Sequence, residues 1–203
     1  MYDVNTRGLT EAVGWSLYDT NTYAAAGQLQ MQFFQVPRGQ GAVPKTLADT
    51  NMTLAGQLPK PQNFLAYWIE LYIIPSAALS AVGALTAAAF ANDVMKFYTQ
   101  PASLTFRIGD KNYVEEAPLI KFPPRGGLTG FSAASDTTTA AAAGRFILDY
   151  ATNSGPLYEI DPALRLVDSQ NFSVVLDWPA LVTLSADAKI VCNLGGYLYR
   201  SVQ

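Results

Sequence analysis

Two stretches of the chain open on the same three residues: Gln62–Pro75, QNFLAYWIELYIIP, and Gln170–Val182, QNFSVVLDWPALV. In each, a polar pair precedes a phenylalanine, and a β-branched and aromatic run follows, broken by a proline. Such runs suit a pleated, buried surface and predict core strands, with Phe64 and Phe172 as the first buried anchors. The likeness stops there. The first run leads into PSAALSAVGALTAAAF and the second into PALVTLSADAK, so the pair is no tandem repeat, and it shares no reactive group. In 63–74 the apolar residues Phe64, Tyr67, Trp68, Ile69, Leu71, Tyr72 and Ile73 fall on both faces, so this strand is expected to be buried on both sides. Its aromatics could form a sugar-binding platform, but their mixture with Ile and Leu favours core.

Upstream, QLQMQFFQVP alternates strictly. Leu29, Met31 and Phe33 lie on one face and Gln28, Gln30 and Gln32 on the other, a period-2 strand closed by Pro37 and Gly39. Residues 1–27 are rich in Thr, Asn, Gly and Ala and read as an N-terminal arm or peripheral segment. Residues 38–61 read as a long connection with a short strand near Met52–Leu54. Downstream, eight alanines lie between Ala77 and Ala91, and Leu71–Asn92 runs 22 residues without a charge. Pro75, Ser76, Ser80, Gly83 and Thr86 argue against a membrane span. Leu79, Val82, Leu85, Phe90, Val94 and Phe97 form one stripe, predicting a helix over about 76–98 that packs on a sheet, with Pro75 in its first turn and Pro101 beyond its end.

SLTFRIGDKNYVEEAPLIKFPP predicts a hairpin turning at Gly109–Asp110. RGGLTGFSAASDTTTAAAAGR reads as a loop with a short helix capped by Asp136. RFILDY is a strand, Leu157–Ile160 a short one within a 151–169 loop, 171–177 another. AKIVCNLGGYLYRSV is a long last strand with a bulge or bend at Gly195–Gly196. About eight strands, one helix and no βα alternation predict an all-β fold, an antiparallel sandwich or barrel in one domain from 28 to 203.

Composition narrows the chemistry. Half of the 203 residues are apolar, 14% are charged and the net charge is −3, enough for a sizeable core. Only Arg7 and Arg38 are basic in the first forty residues, so nothing resembles the cationic stripe that displaces counterions from phosphates, and no direct sequence-specific nucleic-acid binding is expected. There is no histidine, which excludes Ser-His-Asp and Cys-His arrangements and histidine metal sites. Cys192 is the only cysteine and reads as a small buried hydrophobe. No secretory signal is readable, so the sequons at Asn51 and Asn171 are expected to be unused.

Three near-motifs are weak. Gly39–Thr46, GQGAVPKT, matches a phosphate-binding loop except for Pro44 in place of the second glycine, which lacks the N–H and the dihedral freedom. Glu115 and Glu116 are adjacent on a strand and point to opposite faces, so they cannot flank one glycosidic bond. Asp136, Asp161 and Asp177 have no calcium-ligand spacing. No catalytic, cofactor-binding or metal-binding residue is assigned, no cofactor is expected, and the chain is expected not to be an enzyme.

The series MQFFQVPRGQG (31–41), KTLADTNMTLAGQLPKPQNFLAYWIEL (45–71), SLTFRIGDKNYVEEAPLIKFPP (103–124), DSQNFSVVLDWP (168–179) and GGYLYRSVQ (195–203) resembles the jelly-roll major capsid proteins of tailless icosahedral bacteriophages, including those with an internal membrane. The resemblance runs from about residue 28 to the end and rests on strand order and local phrases. It implies a single jelly-roll subunit that self-assembles into a shell enclosing a genome, located in the virion and made in the host cytoplasm. Implied partners are copies of itself, with other capsid or vertex proteins and an internal viral membrane as further candidates. The 76–98 helix has no counterpart in that likeness. The alternative is a β-sandwich binding module, lectin-like or a virion spike or fibre domain.

Overall fold

The structure, a computed structural model, describes residues 10–76, 86–123, 128–135, 146–152 and 157–201. Its strands are β1 (Thr10–Tyr23), β2 (Gln30–Phe33), β3 (Asn63–Pro75), β4 (Ser103–Ile108), β5 (Lys111–Glu116), β6 (Leu128–Ser135), β7 (Phe146–Thr152), β8 (Tyr158–Leu166), β9 (Phe172–Asp177) and β10 (Ala188–Ser201). Among the described residues one α-helix, α1 (Thr86–Thr99), follows β3. Eight strands form two antiparallel four-stranded sheets, ordered β1-β10-β3-β8 and β2-β9-β4-β5, while β6 and β7 pair with each other. The pairings nest, β1 with β10, β2 with β9, β3 with β8 and β4 with β5, as in a long folded ribbon rolled on itself. The fold is therefore a single jelly roll, with the β6–β7 hairpin inserted between β5 and β8.

The core lies between the sheets. Leu17, Phe64, Ile69, Leu71, Cys192 and Leu194 of the first sheet, and Met31, Phe33, Leu104, Phe106, Val174 and Leu176 of the second, are buried. Each such large apolar side chain contributes about 1.5–3 kcal/mol relative to exposure. The β2 alternation is as expected, with Met31 and Phe33 buried and Gln30 and Gln32 exposed. Phe64 and Phe172 are buried anchors, but in opposite sheets, and Phe172 packs on Phe34 at 5.4 Å. The β4–β5 hairpin turns at Gly109 and Asp110, where Gly109 takes a left-handed φ of 59°.

Several expectations change. Residues 10–23 are not an arm. They form β1, paired along its whole length with β10, and Leu17 and Tyr23 enter the core. Residues 1–9 lie outside the described residues. The expected loop after Arg125 contains β6, and β8 continues to Leu166 rather than ending at Ile160. The expected helix cap at Asp136 lies outside the described residues, as do Leu79, Val82 and Leu85 of the apolar stripe. Pro75 closes β3, opposite Ala188, instead of opening the helix. In α1, Val94 and Phe97 are buried as expected, and Pro101 follows its end.

β3 is not uniformly buried on both faces. Before Tyr67 its inward residues are Phe64 and Ala66; after it they are Ile69 and Leu71. Tyr67 is skipped in both ladders, because Ala66 faces Gly196 and Leu164 while Trp68 faces Gly195 and Glu159. A single extra residue inverts the period-2 phase, as a bulge must. The expected irregularity at Gly195–Gly196 is present, but the bulged residue belongs to the partner strand. Both glycines are required. A Cβ on Gly195 would sit 2.0 Å from the Trp68 ring, and one on Gly196 would sit 1.8 Å from the Leu65 carbonyl oxygen.

Beyond Ile69 the β3 edge has no β8 partner. There the Leu71 N–H donates to the Phe122 carbonyl, and the Tyr98 hydroxyl of α1 donates to the Leu71 carbonyl. The helix thus closes an edge that would otherwise leave backbone groups open. No helix among the described residues is long and apolar enough to cross a membrane.

Candidate functional site

The phosphate-loop look-alike is a structural loop. Lys45 does not project toward a ligand. Its ammonium lies 2.6 Å from Asp19 Oδ1 and 2.8 Å from Asn21 Oδ1, with side-chain exposures of 12% for Lys45 and 1% for Asp19. Asp19 Oδ2 accepts the Phe34 N–H at 2.7 Å, holding Phe34 at a left-handed φ of 69°, a conformation that costs a non-glycine residue about 1–3 kcal/mol. Burial pushes the Asp19 carboxyl above its ordinary range, while the bonds from Lys45 and Phe34 oppose that rise. This cluster ties β1, the end of β2 and the 37–50 loop together.

That loop also covers part of the outer edge of β1. The Asn51 amide accepts the Tyr18 N–H and donates to the Ser16 carbonyl, and Thr50 Oγ1 donates to the Tyr18 carbonyl. The side chain of the first sequon is thus engaged in the fold. Cys192 faces Asp19 across the β1–β10 ladder, is fully buried, and burial raises its thiol well above the usual range. It behaves as the small hydrophobe expected.

The carboxylates do not converge. Glu115 and Glu116 face Thr105 and Leu104 across the hairpin and therefore opposite sides of the sheet, where Glu115 accepts from Asn112 and Glu116 pairs with Lys121. Asp161 is exposed on β8, and Asp177 accepts from Gln30 on the other sheet. Asp136 lies outside the described residues. Among the described residues, no three His, Cys, Asp or Glu side chains are grouped to hold a metal.

The aromatics of β3 divide. Phe64 is core, whereas Tyr67 is exposed and Trp68 half-buried on the outer face. Paired residues on neighbouring strands share a face, so the Ser16–Gly195–Trp68 row and the Gly14–Tyr197 pair lie on the side away from Leu17, Leu194 and Ile69. There a groove of about 570 Å³ is bounded by Tyr18, Leu47, Asn51, Trp68 and Tyr197, and Trp15 borders it at the strand edge although its pairing with Gly196 puts its side chain on the Leu17 side. Trp15 and Tyr197 are each 45% exposed, and Tyr67, 37% exposed, meets the Tyr197 ring edge-on at 5.7 Å. The Tyr18 hydroxyl is held by the Leu47 carbonyl.

Sequence reasoning placed Tyr67 and Trp68 in the core because the bulge hides the true phase of β3. The signal that could have located the groove is the Gly195–Gly196 pair, which seats the Trp68 indole. Comparison with known proteins identifies no relative: no protein-family model, no curated protein and no solved structure matches the chain.

Proposed function

We propose that the chain is a structural shell subunit, self-assembling with copies of itself into an icosahedral capsid of a tailless bacteriophage and enclosing its genome. The observation that carries this reading is the β1-β10-β3-β8 and β2-β9-β4-β5 strand order, a jelly roll of the kind that viral capsid domains use. A fold alone does not assign a function, and lectins and cupins share this one. Two further features favour assembly. Large apolar side chains stand exposed around the molecule, among them Val43, Leu47, Leu29, Ile74, Ile120 and Leu181, as subunit contacts require. The absence of histidine removes the commonest proton-transfer and nucleophile-activating side chain, in keeping with a role other than catalysis.

In this reading the virion is the protein's destination, and other capsid or vertex proteins and an internal membrane are its further partners. The net charge of −3 leaves genome packaging to other components. Sedimentation velocity of the purified protein across a salt series tests the proposal. Discrete large assemblies or symmetric capsomers are expected, and a single monomeric species at every salt and protein concentration would reject it.

A further inference from the structure

The cluster that ties β1 to the 37–50 loop brings together the three groups of an acyl transfer. Asp19 and Asn21 are two residues apart on β1, so their side chains fall on one face of the strand. Lys45 lies over both, with its Nζ 2.6 Å from Asp19 Oδ1 and 2.8 Å from Asn21 Oδ1. A carbonyl bond of about 1.23 Å then puts the Asn21 amide carbon within about 4 Å of that nitrogen, close to the separation of a near-attack pair. A primary amine, a carboxamide and a carboxyl share one site.

The three groups are held in place and shielded. The Lys45 N–H donates to the Gln40 carbonyl, and the Lys45 carbonyl accepts the Gly39 N–H. Asp19 Oδ2 accepts the Phe34 N–H, and Asn21 Nδ2 donates to the Gln32 carbonyl at 2.8 Å. Asp19 and Phe34 are fully buried and the Lys45 side chain is 12% exposed, so little water competes for the amine or the acid. Burial raises the Asp19 carboxyl above its ordinary range, which eases its acceptance of a proton from Nζ. A bond to Asp19 instead would consume that carboxyl and leave none of the three groups to carry the proton.

We infer that Lys45 and Asn21 are the partners of a self-formed isopeptide bond, with Asp19 carrying the proton between them. The Lys45 ammonium gives a proton to Asp19 Oδ1, and the freed electron pair of Nζ forms a bond to the Asn21 amide carbon. As the bond from that carbon to Nδ2 breaks, Asp19 gives its proton to the departing nitrogen. The ammonia released takes the second proton shed by Nζ and leaves as ammonium, so the Asp19 carboxylate is regenerated and no other reactant is consumed. The product is an amide that locks the loop onto β1. The inference rests on the cluster alone and holds whether or not the chain builds a shell.

Intact-mass measurement of the full chain, purified folded and then denatured, reads the bond directly. The parent is expected to weigh less than its sequence by one ammonia, and proteolysis is expected to release a branched peptide joining residues 21 and 45. Lys45→Arg keeps a cation beside Asp19 without the amine nucleophile, and Asn21→Ala removes the acyl group while leaving the Asp19–Lys45 pair. Both should show the full mass of their own sequences, with thermal unfolding confirming that each is folded. Asp19→Ala keeps amine and amide and should slow bond formation about a hundredfold or more. The inference is overturned by the full sequence mass in the parent after prolonged incubation of the folded protein. It is equally overturned by an ammonia loss that persists in Lys45→Arg, by loss of water in place of ammonia, or by undiminished bond formation in Asp19→Ala.

Discussion

Replacing Lys45 by methionine isolates the buried charge that holds the first corner of the fold. Lys45 and Asp19 are 2.6 Å apart, and the carboxylate is 1% exposed, so water cannot take the place of the lost ammonium. Breaking a buried pair by removing one partner costs about 3–5 kcal/mol. For a chain of this length that corresponds to a fall in Tm on the order of 10 °C. The pH dependence follows from the direction of the Asp19 shift. Burial already raises that carboxyl above its ordinary 3.8, and Lys45 opposes the rise. Without Lys45 the folded carboxyl moves higher still, so the folded protein holds a proton that the unfolded chain releases. Stability of Lys45→Met is therefore lost as pH rises through the folded value and regained as pH falls toward 3.8. Urea unfolding followed by tryptophan fluorescence over a pH series that starts near 3.8 measures this directly. The deficit should be smallest at the acid end and grow as pH rises, and Asp19→Asn combined with Lys45→Met should recover part of it. A deficit under about 1 kcal/mol, flat across that range, would refute the assignment of a buried, partner-dependent charge.

Two further perturbations probe the sheet. Gly196→Ala should destabilise by about 1–3 kcal/mol or more and exceed Gly195→Ala, because its Cβ meets the Leu65 backbone while that of Gly195 meets a side chain; chemical denaturation ranks the two, and the reverse order would contradict the bulge geometry. Deleting residues 1–23 should abolish cooperative unfolding, since β1 carries Leu17, Tyr23 and the Asp19 cluster; a truncated chain with a sharp thermal transition would restore the view of this region as a separable arm.

How much of this was readable without coordinates depends on whether the alternation was kept in phase. β2, β9 and the Gly109–Asp110 hairpin were legible because polar and apolar residues alternate, or run apolar, between clear turn signals. β3 was legible as a strand but not in its facing, because Tyr67 inverts its phase and leaves apolar residues at both parities. β1 went unread for a different reason. Val13, Trp15 and Leu17 begin a period-2 pattern, but Asp19 and Asn21 occupy the next two positions, and their partner Lys45 is remote in sequence. A buried ion pair looks polar along the chain and behaves as core in space. The same limit hid the groove, which is assembled from β1, β3, β10 and the 47–51 loop and has no local motif. The near-motif at Gly39–Thr46 was legible as a loop. The role of Lys45 became visible only with Asp19 beside it.

The central functional claim is that this jelly roll closes into a shell with copies of itself. Negative-stain electron microscopy of the purified chain at high concentration tests that claim most directly. Closed particles of uniform diameter, or rings of symmetric capsomers, are the predicted result. A field of dispersed single subunits under every buffer and salt condition tried would contradict it.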